Sequence, residues 1–93
     1  MGFLMSVYAV NKLCYRAVRE PALRQSLTED PEAALLAVSP PLTDTERGAL
    51  LAGDVGTLSL MGANHFLLHQ LGRFRLLGLD LQRYAERIRA AHR

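Results

Sequence analysis

Cysteine occurs once in the 93 residues, lysine occurs once, and no run of five like charges occurs anywhere. The lone thiol, Cys14, excludes an intramolecular disulfide and a cysteine-based zinc site, and it fits a reducing cytoplasm. Eleven basic against nine acidic residues leave a net charge of +2, so the pI near 9.1 implies no polyanion-binding arm. Ten of the basic side chains are Arg, a bias that GC-rich bacterial coding explains better than Arg-specific chemistry. No segment reaches the roughly 20 apolar residues needed to span a bilayer. The apolar run from Phe3 to Val10 has no basic region before it and ends in Asn11-Lys12, which is not the pattern of a signal peptide. The opening Met-Gly-Phe-Leu-Met-Ser matches the myristoylation pattern at Gly2 only formally. Gly53, Gly56 and Gly62 are spaced as helix punctuation, not as a phosphate-binding loop.

What remains is a chain 49% apolar and 22% charged, the balance of a globular domain, with one domain expected over residues 1–93. Val7, Val10, Leu13, Cys14, Ala17 and Val18 recur at spacings of three and four, which predicts a helix from Ser6 to Arg19 with that face buried. Asn11, Lys12, Arg16 and Arg19 fall between them and should meet water. Pro21 closes this helix, because the residue before a proline is driven out of helical geometry. Ala22 to Leu27 can add a turn or two. Asp30-Pro31 then reads as cap and first position of a helix over Ala33–Val38, stopped by Ser39-Pro40-Pro41.

Thr43-Asp44-Thr45-Glu46 has the spacing of a capping box and opens a helix over Asp44–Ala52. Gly53-Asp54 closes that helix and caps the next, Val55–Met61, and Gly62 repeats the stop before a helix from Ala63 to about Leu71. Gly72 and Gly78 bracket an indistinct stretch. Asp80 caps a last helix whose inner face should carry Leu81, Tyr84, Ala85 and Ile88. The fold class expected is all-α, an irregular bundle of five to seven short helices.

Few side chains suggest chemistry. His65 and His69 are four apart, yet the zinc-protease version of that spacing needs Glu where Phe66 stands. His92 is far along the chain, and no carboxylate completes a ligand set, so no metal site is expected. Cys14 lies on the apolar face of its helix, where cysteine behaves as a small hydrophobe. Asp44, Glu46, Asp54 and Asp80 stand at helix starts, which capping and the helix dipole already explain. No catalytic constellation is expected. Arg73, Arg75, Arg83, Arg87, Arg89 and Arg93 could meet phosphates, with the short helices around Gly53-Asp54 imitating a helix-turn-helix. Glu86 interrupts that series and the net charge is small, so a solvated face is the better explanation. The segment Gly62–Leu79 holds more apolar side chains than one helix face can bury, which leaves both core packing and contact with another chain open.

The succession Tyr8-Ala9-Val10-Asn11-Lys12-Leu13-Cys14, Asp30-Pro31-Glu32-Ala33, Leu42-Thr43, Gly53-Asp54 and Gly62-Ala63-Asn64-His65-Phe66-Leu67-Leu68 resembles the small-subunit domain of LigAB-type extradiol ring-opening dioxygenases. The resemblance implies an all-helical, non-catalytic accessory subunit. It would pack on a larger subunit whose Fe(II), held by two histidines and a carboxylate, cleaves catechol-type rings; no cofactor is implied in this chain. On that reading Asn64, His65 and Phe66 are the residues expected at the partner or its cleft, followed by Tyr8 and Asn11. After Leu71 the chain lacks the longer loop that family members extend towards substrate, and Phe74 is the nearby aromatic that could substitute. Similar domains are also suspected to recruit other enzymes, for instance in natural-product or modified-peptide assembly. The absence of a core peptide after the last helix argues against a modified substrate. A homo-oligomer and a small nucleic-acid-binding regulator complete the alternatives; no membrane partner is expected.

Overall fold

The computed structural model describes residues 2–92, with side chains described from Val7 onward. Seven helices and no strand occur among them: α1 (Gly2–Arg19), α2 (Pro21–Glu29), α3 (Pro31–Ala37), α4 (Asp44–Leu51), α5 (Val55–Leu60), α6 (His65–Arg73) and α7 (Leu81–Ala91). The all-α expectation therefore holds. The helix α6 is central, packing on α1, α5 and α7, while α2 and α3 pair with each other and join the bundle through α1 and α4.

The boundaries follow local chemistry. Glu20 adopts φ −117° and ψ 97°, the extended geometry forced on a residue before proline, so Pro21 ends α1 and opens α2. The last carbonyls of α1 are met from outside: Arg24 Nη1 donates to the oxygens of Ala17 at 2.8 Å and Val18 at 3.0 Å. Asp30 serves twice, donating its N–H to Ser26 at the end of α2 and accepting from Ala33 N at 3.2 Å to start α3. The capping box is complete, with Glu46 N donating to Thr43 Oγ1 at 3.1 Å and Thr43 N to Glu46 Oε1 at 2.8 Å. This carboxylate is fully buried, and its second oxygen has no hydrogen-bond partner among the described residues.

Asp54 Oδ1 accepts from Thr57 N at 3.1 Å, and Asp80 Oδ1 from Arg83 N at 2.7 Å, fixing the starts of α5 and α7. Gly53 takes φ +64°, the left-handed turn between α4 and α5. Arg87 on α7 reaches the same turn, with Nη1 donating to the oxygens of Ala52 at 3.1 Å and Gly53 at 2.7 Å.

Two expectations change. The sixth helix begins at His65 and not at Ala63, because Asn64 caps it by accepting from Leu67 N at 3.0 Å. Gly72, at the edge of the indistinct stretch, lies inside α6, where a Cβ would stand 2.9 Å from the Asp80 oxygen and 3.2 Å from Tyr84 Cβ. The glycine is there for close packing. Leu81, expected inside, is 50% exposed; as the first residue of α7 its side chain projects back past the helix start, where no element covers it. Tyr84 alone of that stripe is fully covered, with Ala85 and Ile88 half-buried.

The core joins Val10, Leu13 and Cys14 of α1 to Leu27, Leu35, Leu50, Val55, Leu58, Leu68 and Leu71. Val7 and Val18, at the edges of the α1 stripe, are half-buried. No helix among the described residues is long and apolar enough to cross a membrane.

Candidate functional site

Asn11 and Asn64, 53 residues apart, meet: Asn64 N donates to Asn11 Oδ1 at 2.9 Å. Asn64 therefore works in both directions, capping α6 with its side chain and tying α6 to α1 with its backbone. This junction sets the relative placement of two outward-facing rows. On α1, Tyr8, Asn11 and Tyr15 follow at spacings of three and four, the row opposite the buried stripe. On α6, Phe66 stands two residues past the cap. Phe66 is 74% exposed and Tyr8 55%, and Tyr15 is also exposed.

Between the rows runs a groove of about 210 Å³, bounded by Tyr15, Val18 and Arg19 of α1 and Phe66, Leu67, Gln70 and Arg73 of α6. Its half-buried base is Val18 and Leu67, and its walls are the aromatic rings. Cations flank it. Lys12 Nζ and Arg19 Cζ lie 5.6 and 5.3 Å from the Tyr15 ring centroid, within cation–π range. Gln70, buried, donates to the Phe66 oxygen at 3.2 Å and accepts from Arg73 Nη1 at 3.2 Å, which fixes that guanidinium at the groove. Phe74 sits at the same end but is half-buried, with Arg24 and Arg73 at 4.5 and 5.2 Å from its ring. An apolar side chain can rest between these rings, and an anion beside it would find charge-assisted donors.

The histidines lie elsewhere. His65 Nε2 is hydrogen-bonded to Ser59 Oγ, which also lies 2.8 Å from His92 Nε2. The two rings are 5.4 Å apart, and Tyr84 donates its hydroxyl to the His65 carbonyl at 2.9 Å. His69 instead meets the Tyr84 ring edge-on at 5.2 Å. His65 thus shares its helix start with Asn64 and Phe66 but turns towards α5 and α7, while its i+4 partner His69 faces Tyr84. No cluster of three or more His, Cys, Asp or Glu able to hold a metal ion occurs among the described residues.

Cys14 is fully buried, and burial pushes its thiol up to about 12, so it has no thiolate to offer as a nucleophile near neutral pH. Two of the arginines that could meet phosphates are occupied by the fold: Arg87 on the α4–α5 turn, and Arg83, whose Nη1 donates to the Gly78 oxygen at 3.0 Å. Arg93 lies outside the described residues.

Of the residues named from the sequence, Phe66 borders the groove and Asn64 caps its helix, whereas Tyr15, Arg19 and Gln70 were not named as site residues. A signal existed for Tyr15, since Tyr8-Asn11-Tyr15 is itself a helical row on the face away from the apolar stripe.

Comparison with curated proteins and with solved structures gives no match. A family model described as aromatic-ring-opening dioxygenase LigAB, LigA subunit, matches residues 10–90, which takes in α2 to α6, most of α1 and nearly all of α7 and leaves Tyr8 just outside. The chain therefore belongs to the LigA family, that of the LigA subunit of the aromatic-ring-opening dioxygenase LigAB.

Proposed function

We propose that this chain is a non-catalytic accessory subunit that docks, through its α1–α6 face, on a larger ring-opening dioxygenase subunit and covers that subunit's cleft. Family membership supports the partnership, and the exposed Phe66 ring carries the choice of face. An aromatic side chain left 74% exposed beside a hydrogen-bonded interhelical junction is the kind of anchor that a protein interface buries. Asn64 and Asn11 hold the anchor's helix in register, and Tyr8 extends the apolar edge. Phe74, clasped between Arg24 and Arg73, would border the partner at the far end.

Fe(II) belongs to the larger subunit in this reading. The histidines of this chain do not suit it: His65 Nε2 is engaged with Ser59, and His69 packs on Tyr84. The complex would act in the cytoplasm on catechol-type rings in aromatic catabolism.

Co-expression with the larger subunit from the same genome tests this directly. The expected result is a stable heteromeric complex whose catechol-dependent oxygen uptake exceeds that of the larger subunit alone. Purification only as a homo-oligomer, with oxygen uptake unchanged by its addition, refutes the proposal. Capture of an iron-free enzyme through the same face would instead favour a recognition module. DNA retention that falls steeply with salt would favour a regulator.

A further inference from the structure

The helices α1 and α6 contain no Asp or Glu at all, although the chain has nine acidic residues. Their charged side chains are Lys12, Arg16, Arg19 and Arg73, and among the described residues only Arg16 of these forms an ion pair, with Glu20 at 2.8 Å. A chain of net charge +2 therefore presents one face whose charge is of a single sign, and that face holds the apolar groove. Arg73 is fixed at the groove by Gln70, and Arg19 is held over Tyr15.

We infer that the groove receives a segment of the larger subunit carrying an apolar side chain flanked by Asp or Glu. This inference rests on the partnership proposed above and names the chemistry of its contact. The apolar side chain enters between Tyr15 and Phe66 over Val18 and Leu67. The carboxylates meet Arg19 and Arg73 at the two sides. A second copy of this chain using the same face would set like charges against each other, and such juxtaposition disfavours the contact. The acidic residues Glu29, Asp30 and Glu32 lie at the α2–α3 junction, so self-association through the groove would have to run head to tail.

The test uses the reconstituted heteromer at two salt concentrations, with three forms of the small subunit: wild type, Phe66→Ser and the double variant Arg19→Glu, Arg73→Glu. A further double variant, Arg19→Gln with Arg73→Gln, controls for misfolding, and circular dichroism checks that all keep their helix content. Phe66→Ser and the charge reversal should each weaken the complex by about tenfold or more. The Gln variant should weaken it less and flatten its salt dependence. Hydrogen–deuterium exchange should show a protected segment on the larger subunit with an apolar residue flanked by Asp or Glu. A complex that forms but is indifferent to these variants, or that protects a segment without carboxylates, overturns the inference and leaves the partnership standing. The absence of any complex, or self-association through the groove that excludes the larger subunit, overturns both.

Discussion

Cys14 should make this fold sensitive to alkali. The thiol is 0% exposed, and burial raises it from an ordinary 9.0 to about 12. Below pH 9 the folded and unfolded chains both hold the proton, and the full stability is present. Between pH 9 and about 12 the unfolded chain releases a proton that the folded chain keeps, so the unfolded state gains and stability falls with rising pH. The slope is about 1.4 kcal/mol per pH unit, or about 4 kcal/mol over the whole interval. A domain of this size is stable by roughly 5–14 kcal/mol in total, so the loss is a substantial share of the whole.

The perturbation is Cys14→Ala, which costs about 1 kcal/mol in lost packing at neutral pH but has nothing to ionise. Burial, and after it the nearby Cys14 charge, also raise the Tyr84 phenol, and its contribution has the same sign at higher pH. Tyr84 is present in both chains, so the difference between their pH profiles reports Cys14 together with the part of the Tyr84 shift that its charge causes. Urea unfolding followed by circular dichroism at pH 7.5, 8.5, 9.5 and 10.5 supplies those profiles. At pH 10.5 wild type should have lost about 2 kcal/mol that the variant retains, which brings the two curves together or crosses them. In parallel, iodoacetamide should label the native thiol only as fast as the fold opens. Parallel stability profiles, or native labelling at the rate of a free thiol, refute the reasoning.

Three further outcomes follow from the packing. Gly72→Ala puts a methyl group 2.9 Å from the Asp80 oxygen and should cost about 1–3 kcal/mol, measured by chemical denaturation, by wedging α6 from α7. Asn11→Ala removes the acceptor for Asn64 N and should cost about 1–2 kcal/mol, while Asn11→Asp, which keeps an acceptor oxygen, should recover most of it. Asp54→Ala deletes the α5 cap along with its bond to Thr57 Oγ1 and should lower stability by about 1 kcal/mol, again by urea unfolding, leaving the partner interaction proposed for the α1–α6 face intact.

The caps at Asp30, Thr43, Asp54 and Asp80 were legible in the sequence because each closes within three residues, so the spacing alone reveals them. The left-handed turns at Gly53 and Gly62 were legible for the same reason. The role of Gly72 was not legible, because a helix stop and a close helix crossing both ask for glycine, and only the position of Asp80 and Tyr84 separates them. Contacts over 34 and 53 residues, such as Arg87 to Gly53 and Asn64 to Asn11, have no local signature. The same limit applies to the candidate site. Phe66 and Asn64 stood out in one contiguous motif, whereas the groove needs α1 beside α6, and His65 turns aside to Ser59 on α5, which also meets His92 at the end of α7.

The junction of Asn11 with Asn64 makes the α1–α6 surface a property of the finished fold, since neither helix carries it alone. Any partner that grips this surface binds the native chain and not the unfolded one, so occupancy adds to stability by mass action. A partner present at 100 times its dissociation constant would contribute about 2.7 kcal/mol. Such a subunit is protected by its complex and left vulnerable without it, and proteolytic turnover would then trim the excess of small over large chains. Stoichiometry would be kept by stability itself, with no separate regulator.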